Sequence, residues 1–276
     1  MDDILNDLEQ RLNITIKSED ITNYTDGASD AKVFSINEKY LVKVVDDLTL
    51  RSQIAFLEFY KGIAGLQRVI TYNKELKYIC FEFIKGKKIK EVKEVKDTDI
   101  IKQIKNIVKQ YKKYDDNAYG YLYDNEGKSW VEFLEDEINY AKPKLKDYDV
   151  ETSILDKCLQ TISKYNVEKY LIHGDLGTHN FLFDDNGKIM IIDPMPVVGD
   201  WLYDFYYAVL SSKKIFMNTE MDSIIQAFDV DYTYQISLFT IVLFIRLSRA
   251  YVYDKENFET YLNAYMQICQ RNWQFM

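Results

Sequence analysis

The sequence predicts an α+β chain in two unequal parts, a small antiparallel β region carrying a helix and a larger, mainly helical region. Short β-branched and aromatic runs separated by turn residues occupy much of the first 84 positions. From there on, apolar residues recur mostly at helical spacing. A single hairpin pattern, NFLF-DDNG-KIMIID, interrupts the helical part. Such a run of strands followed by a run of helices divides the chain into residues 1–84 and 85–276, with a ligand cleft expected at the join.

Taken in order, residues 1–12 read as a short amphipathic helix. NITIKSE, AKVFSIN and KYLVKVV read as strands of a meander, separated by turns at Asp26-Gly27 and Asn37-Glu38. Leu48 to Ile63 returns to helical period through Leu50, Ile54, Leu57 and Phe59. LQRVITYN and LKYICFEFI are two further strands, and the lysine-rich KGKKIKEVKEVKD is a solvated linker or helix start. Helices are expected over 98–114, 130–141, 154–165, 201–211, 219–228 and 232–251. The apolar run ISLFTIVLFI is about half a membrane span and reads as a buried helix.

Composition narrows the function. The chain is 47% hydrophobic and 29% charged, with few Gly and Pro, which suits a packed soluble protein. Cys80, Cys158 and Cys269 are odd in number and lack CxxC spacing, so no disulfide framework or zinc site is expected, in keeping with a reducing cytoplasm. The start MDDILNDLEQRL lacks the pattern of a signal peptide, and neither a membrane nor a fixed oligomer beyond a monomer or weak dimer is expected. A formal net charge of −9 disfavours nucleic acid, whose phosphates need a basic surface, and helps to attract a cationic small molecule.

The chemistry concentrates in LIHGDLGTHNFLFDDNGKIMIIDPMPVVGD, residues 171–200, which holds both histidines, His173 and His179. Asn186-Gly187 signals a tight turn, so pairing of the two flanking runs brings their outer ends, Asn180 and Asp193, together. An amide oxygen beside a carboxylate is a hard donor set, suited to magnesium rather than zinc. Asp175, five positions before Asn180, is placed to accept a proton from an attacking hydroxyl. A turn Asp also commonly does no more than bond its own backbone, and Asp200 reads equally as the N-cap of the helix from Trp201.

HGDLGTHN, then IID, then GDWLYD resembles the aminoglycoside phosphotransferases and the related choline kinase-like enzymes, which are kin to protein kinases. The resemblance implies a two-lobed protein-kinase-like fold and magnesium-dependent transfer of the γ-phosphoryl group of ATP or GTP to a hydroxyl. It implies that Asp175 is the base, that Asn180 and Asp193 hold Mg2+, that His173 braces the loop and that Asp204 fixes its geometry. DGASDAKVFSI resembles the stretch covering the nucleotide phosphates, which assigns Gly27 and Ser29 to them, and Lys43 of YLVKV to the α- and β-phosphates. CFEFIKG resembles the purine-binding hinge, which assigns Phe81 and Phe83 to the nucleotide, and Ile192 of the IID run is assigned to it as well. One departure stands out: where the family places a helix Glu that pairs with the lysine, this chain has Gln53, and the nearest Glu, Glu58, points to a different face of the helix. Either the alignment slips, or another acid such as Asp47 serves, or Lys43 is held less tightly.

The implied acceptor is a small cationic molecule such as an aminoglycoside, with resistance to that antibiotic as the consequence. Choline, an amino alcohol or a sugar is the alternative. Glu132, Glu135, Asp136 and Glu137 of SWVEFLEDEI, with Asp254, Glu256 and Glu259, either line an acidic acceptor site or form solvated helix faces. A kinase-like binding protein without turnover would have no need of Asp175, and a metal hydrolase would need more nitrogen ligands than two histidines supply.

Overall fold

A computed structural model describes residues 1–24, 32–92, 95–148 and 150–272. In chain order the elements are α1 (Asp2–Leu12), β1 (Ile21–Tyr24), β2 (Lys32–Ile36), β3 (Tyr40–Val44), α2 (Asp47–Phe59), β4 (Val69–Asn73), β5 (Tyr78–Glu82) and α3 (Asp97–Val108). There follow β6 (Gly120–Tyr121), α4 (Trp130–Ala141), α5 (Ser153–Ile162), β7 (Tyr170–Ile172), β8 (Phe181–Phe183), β9 (Ile189–Ile191) and β10 (Val197–Gly199). The chain closes with α6 (Trp201–Leu210), α7 (Lys213–Met217), α8 (Met221–Ile225), α9 (Tyr232–Tyr253) and α10 (Phe258–Asn272). The fold is thus α+β, with an antiparallel sheet in the N-terminal region and a helical C-terminal part.

The chain forms two compact units, residues 1–94 with 180–195, and residues 95–179 with 196–276. The first is built on a five-stranded antiparallel sheet of order β1-β2-β3-β5-β4. Alternation along β2, β3 and β5 sends Phe34, Ile36, Val42, Tyr78 and Cys80 to one face, where Leu8 of α1 completes the core. The turn between β2 and β3 has Asn37 and Glu38 both at positive φ, 52° and 49°, the geometry that matches the twist of two directly joined strands. NITIKSE, expected as a strand, is instead an irregular segment with one 3-10 turn over Ser18–Asp20, and pairing begins at Ile21.

The hairpin β8–β9 belongs to this first unit although it lies far along the chain. Phe183 and Lys87 exchange backbone hydrogen bonds of 2.8 and 2.9 Å on one side. On the other, Ile191 donates to the Gly65 carbonyl at 2.7 Å and accepts from Gln67 at 3.1 Å. The turn is anchored by Asp184, whose Oδ1 accepts from the N–H groups of Asn186 and Lys188, and Gly187 takes the positive φ of 73°.

The second unit packs helices around α9, whose residues from Tyr234 to Ser248 are all buried. By length and composition α9 could cross a membrane, but α5, α6 and α10 pack against it, and a helix apolar on all sides is what a core helix looks like. The sequence did not announce the three-stranded sheet β6-β10-β7 beside these helices. Its centre is tight: a Cβ on Gly199 would come within 2.5 Å of the buried Trp130 ring. Gly199→Ala should therefore cost about 1–3 kcal/mol through forced displacement of a rigid indole, read as a lower urea midpoint at unchanged slope.

Candidate active site

In the first unit the candidate residues meet around Asp193. Strand β3 buries Val42 on the α1 face, which turns Lys43 to the opposite face, and its Nζ lies 2.5 Å from Asp193 Oδ1. The same oxygen accepts from Gln53 Nε2 of α2 at 2.8 Å, and Gln53 Nε2 also reaches the Pro194 carbonyl at 3.0 Å. This clamp explains how Asp193 holds a φ of 58°, a left-handed conformation that a non-glycine residue adopts only when its surroundings fix it. Asp47, the other acid named for this part, is engaged elsewhere, since it pairs with Arg51, and Glu58 pairs with Lys61. The counter-ion of Lys43 is Asp193 itself, and an amide at position 53 suits this arrangement because a carboxylate there would face Asp193 at hydrogen-bond distance.

Asn180 is buried, and its carbonyl accepts from Ile192 at 3.1 Å, one step beyond the Phe181–Ile191 pair. The hairpin thus brings the backbone of Asn180 to that of Ile192, next to Asp193. Among the described residues no group of three or more His, Cys, Asp or Glu gathers as a metal cluster. One exposed carboxylate with an adjacent amide residue still fits magnesium, which keeps much of its water and takes phosphate oxygens. Phe81 lies buried in β5 between Leu41 and Val69, and Phe83 donates its N–H to Lys39 at 3.0 Å. A hinge contact to a base would therefore fall to other backbone groups than the N–H of Phe83. Gly27 and Ser29 lie outside the described residues.

In the second unit the site is organised from Asp204 outward. This fully buried carboxylate accepts from the N–H of His173 at 2.7 Å, that of Gly174 at 3.1 Å and the Tyr111 hydroxyl at 2.7 Å. Burial pushes its acid up to about 7, against the pull of those donors. The loop so held presents Asp175, whose Oδ2 is 3.1 Å from His179 Nε2, with Arg249 Nη1 of α9 3.8 Å from Oδ1. Burial would raise the Asp175 acid, but the His179 hydrogen bond and the charges of His179, Arg249 and His173 outweigh it and bring it down to about 2. Gly177 lets the loop close: a Cβ there would lie 2.3 Å from the His179 ring. Asp200 does cap α6, accepting from Leu202 at 2.9 Å.

Two residues around Asp175 went unread in the sequence. His179 stands four positions after Asp175, a spacing that a one-turn loop can close, yet nothing in the residue type marks it. Arg249 lay hidden in a segment whose apolar character dominated the reading. The acidic stretch on α4 is largely engaged by structure: Glu132 caps its own helix through the Ser129 N–H at 2.6 Å, Asp136 pairs with Lys128 at 2.8 Å, and buried Glu137 accepts from Tyr121 at 2.8 Å.

Asp204→Ala would strip two buried N–H groups of their acceptor and should cost about 2–5 kcal/mol in urea unfolding, whereas a loss below about 1 kcal/mol would deny it that part. Because its folded pKa is depressed, Asp175 adds stability that is complete above about pH 4 and drains away as pH falls towards about 2. Its carboxyl carbon-13 shift should accordingly stay at the ionised value down to about pH 4, and His179→Ala should move the midpoint up towards the ordinary 3.8.

A profile of the phosphotransferase enzyme family (APH) matches residues 20–236. No curated protein matches the chain in sequence. Among solved structures, a Thermobifida fusca protein assigned as a fructosamine-3-kinase aligns over 98% of this chain and 99% of its own, at 13% identity and TM-score 0.63. A thermostable aminoglycoside phosphotransferase APH(4)-Ia variant, solved with ADP and hygromycin B, covers 97% of this chain and 98% of its own at 13% identity and TM-score 0.61. Choline kinase LicA from Streptococcus pneumoniae covers 98% and 97% at 13% identity and TM-score 0.54. At such identities the likeness is one of fold, shared with kinases of differing acceptors. The family match spans most of the chain, and the chain belongs to the phosphotransferase enzyme family.

Proposed function

We propose that the protein transfers the γ-phosphoryl group of ATP or GTP to a hydroxyl of a small molecule. The observation that carries this reading is the 2.5 Å pairing of Lys43 with Asp193, 150 positions apart in the chain. It supports a lysine held ready for nucleotide phosphates and an acid held beside a hairpin that starts at Asn180. Asn180 and Asp193 would hold a magnesium ion, which when bound neutralises charge on the β- and γ-phosphates. Gly27 and Ser29 cover the phosphates, and Phe81, Phe83 and Ile192 belong to the base-binding side in this reading.

Asp175 orients the acceptor hydroxyl. As the oxygen–phosphorus bond forms and the bond from phosphorus to the β–γ bridging oxygen breaks, the hydroxyl proton passes to the Asp175 carboxylate and the nucleoside diphosphate leaves. A carboxylate whose acid lies at about 2 is a weak base, which the reaction tolerates because the loose transition state makes the hydroxyl acidic only late. His179 and Arg249 keep Asp175 charged and aimed. The reaction belongs in the cytoplasm, where nucleoside triphosphates are supplied.

The acceptor is a small hydroxylated molecule. An aminoglycoside draws support from the net charge of −9 and from the hygromycin B complex of the fold neighbour, and choline from the other. The test is nucleotide consumption with magnesium, ATP and GTP in parallel, over aminoglycosides, choline, sugars and sugar acids, with Asp175→Asn as the blank. Acceptor-dependent turnover should fall at least about a thousandfold in the variant while nucleotide affinity stays within about twofold. Turnover that survives Asp175→Asn would overturn the role of Asp175.

A further inference from the structure

We infer that Arg246 and Arg249 form an anion-binding subsite beside Asp175 in the second unit, one that takes a carboxylate or phosphate group carried by the acceptor. The inference rests on Asp175 acting on the acceptor hydroxyl. The two arginines stand one turn apart on α9, and each guanidinium carbon lies 5.2 Å from the centre of the buried Tyr207 ring. Arg249 comes within 3.8 Å of Asp175 Oδ1, and its side chain keeps a quarter of its surface exposed.

Arg246 carries the inference furthest. Only 8% of it is exposed; it bonds the Tyr261 side chain and lies over the Tyr207 ring, but its Nε makes no hydrogen bond, and among the described residues no carboxylate lies within ion-pair distance of it. A guanidinium cannot shed its charge, so burial without a carboxylate is costly unless an anion arrives. The nearby acids do not remove the need. Asp175 is bonded to His179, and buried Glu137, which also faces Arg249, accepts from Tyr121. A planar fork with several donors matches a carboxylate or phosphate in two-point fashion. Such a group bound to Arg246 and Arg249 would anchor a hydroxy acid or sugar phosphate with a hydroxyl free for Asp175. An aminoglycoside or choline offers nothing to this pair, so an anion bound here selects a hydroxy acid or sugar phosphate over those two cationic acceptors.

The test is a calorimetric titration of the full-length protein, saturated with AMP-PNP and magnesium, by gluconate, glucose 6-phosphate, glucose and choline. One or both of the anionic sugars should bind at least about tenfold more tightly than glucose, a margin typical of one charge-assisted contact, and choline should not bind. Arg249→Gln and Arg246→Met should each remove at least about tenfold of that affinity. Arg246→Met should also raise the melting temperature, since it replaces a buried charge that has no carboxylate partner by an apolar chain of similar length. Anions that bind no better than glucose, or that bind unchanged in both variants, would overturn the inference. So would anion binding seen only without nucleotide, which would assign the arginines to the donor phosphate. Failure of the Asp175 reading shows separately, as turnover surviving Asp175→Asn, and leaves this binding measurement intact.

Discussion

The hydrogen bonds that the Asp204 carboxylate accepts from the His173 and Gly174 N–H groups are the constraint on which the conformation of the Asp175 loop depends. A buried carboxylate exacts a desolvation cost that only well-aimed donors offset, so it fixes the backbone that supplies them. That backbone leads directly into Asp175. The order of the loop thus comes from a fully buried residue on the first turn of α6, whose start Asp200 caps. With the backbone fixed, His179 and Arg249 need only keep Asp175 ionised.

The first unit solves a related problem by a different route. Lys43 is a strand residue whose neighbours Val42 and Val44 belong to the pattern of the sheet, and its charge needs a partner on the far face from α1. Asp193 supplies it, held in a left-handed conformation by Gln53. The amide on α2 does not take the place of the expected carboxylate as the partner of the lysine; it positions Asp193, which does. The substitution at position 53 is therefore compatible with an intact charge pair.

Much of the site and fold was legible because it was written locally. Asn186-Gly187 marked the hairpin, and Ser129 with Glu132 forms the capping box that starts α4 where the periodicity places it. What escaped was written in tertiary contacts. β6, β7 and β10 are two or three residues long and pair over large sequence separations, so no run of alternation betrays them. The helix expected to reach Tyr114 stops at Val108, because Lys113 bridges to Tyr170 and Tyr114 donates to the Lys169 carbonyl, which draws the chain into extended pairing. Asp193 as the partner of Lys43 could not be read from spacing, since Gln53 stood where an acid was expected. Arg246 and Arg249 were masked by the apolar run around them, where a charge is informative only once its burial is known.

The central claim is that the chain moves a phosphoryl group onto an organic hydroxyl rather than onto water. The direct measurement is phosphorus-31 NMR of a reaction with magnesium, ATP and an accepted substrate, followed to completion. Transfer predicts one phosphate-ester resonance growing in step with the loss of the γ-phosphate signal and coupled to protons of the acceptor carbon. Inorganic phosphate appearing in its place, at a rate indifferent to the acceptor, would contradict the account.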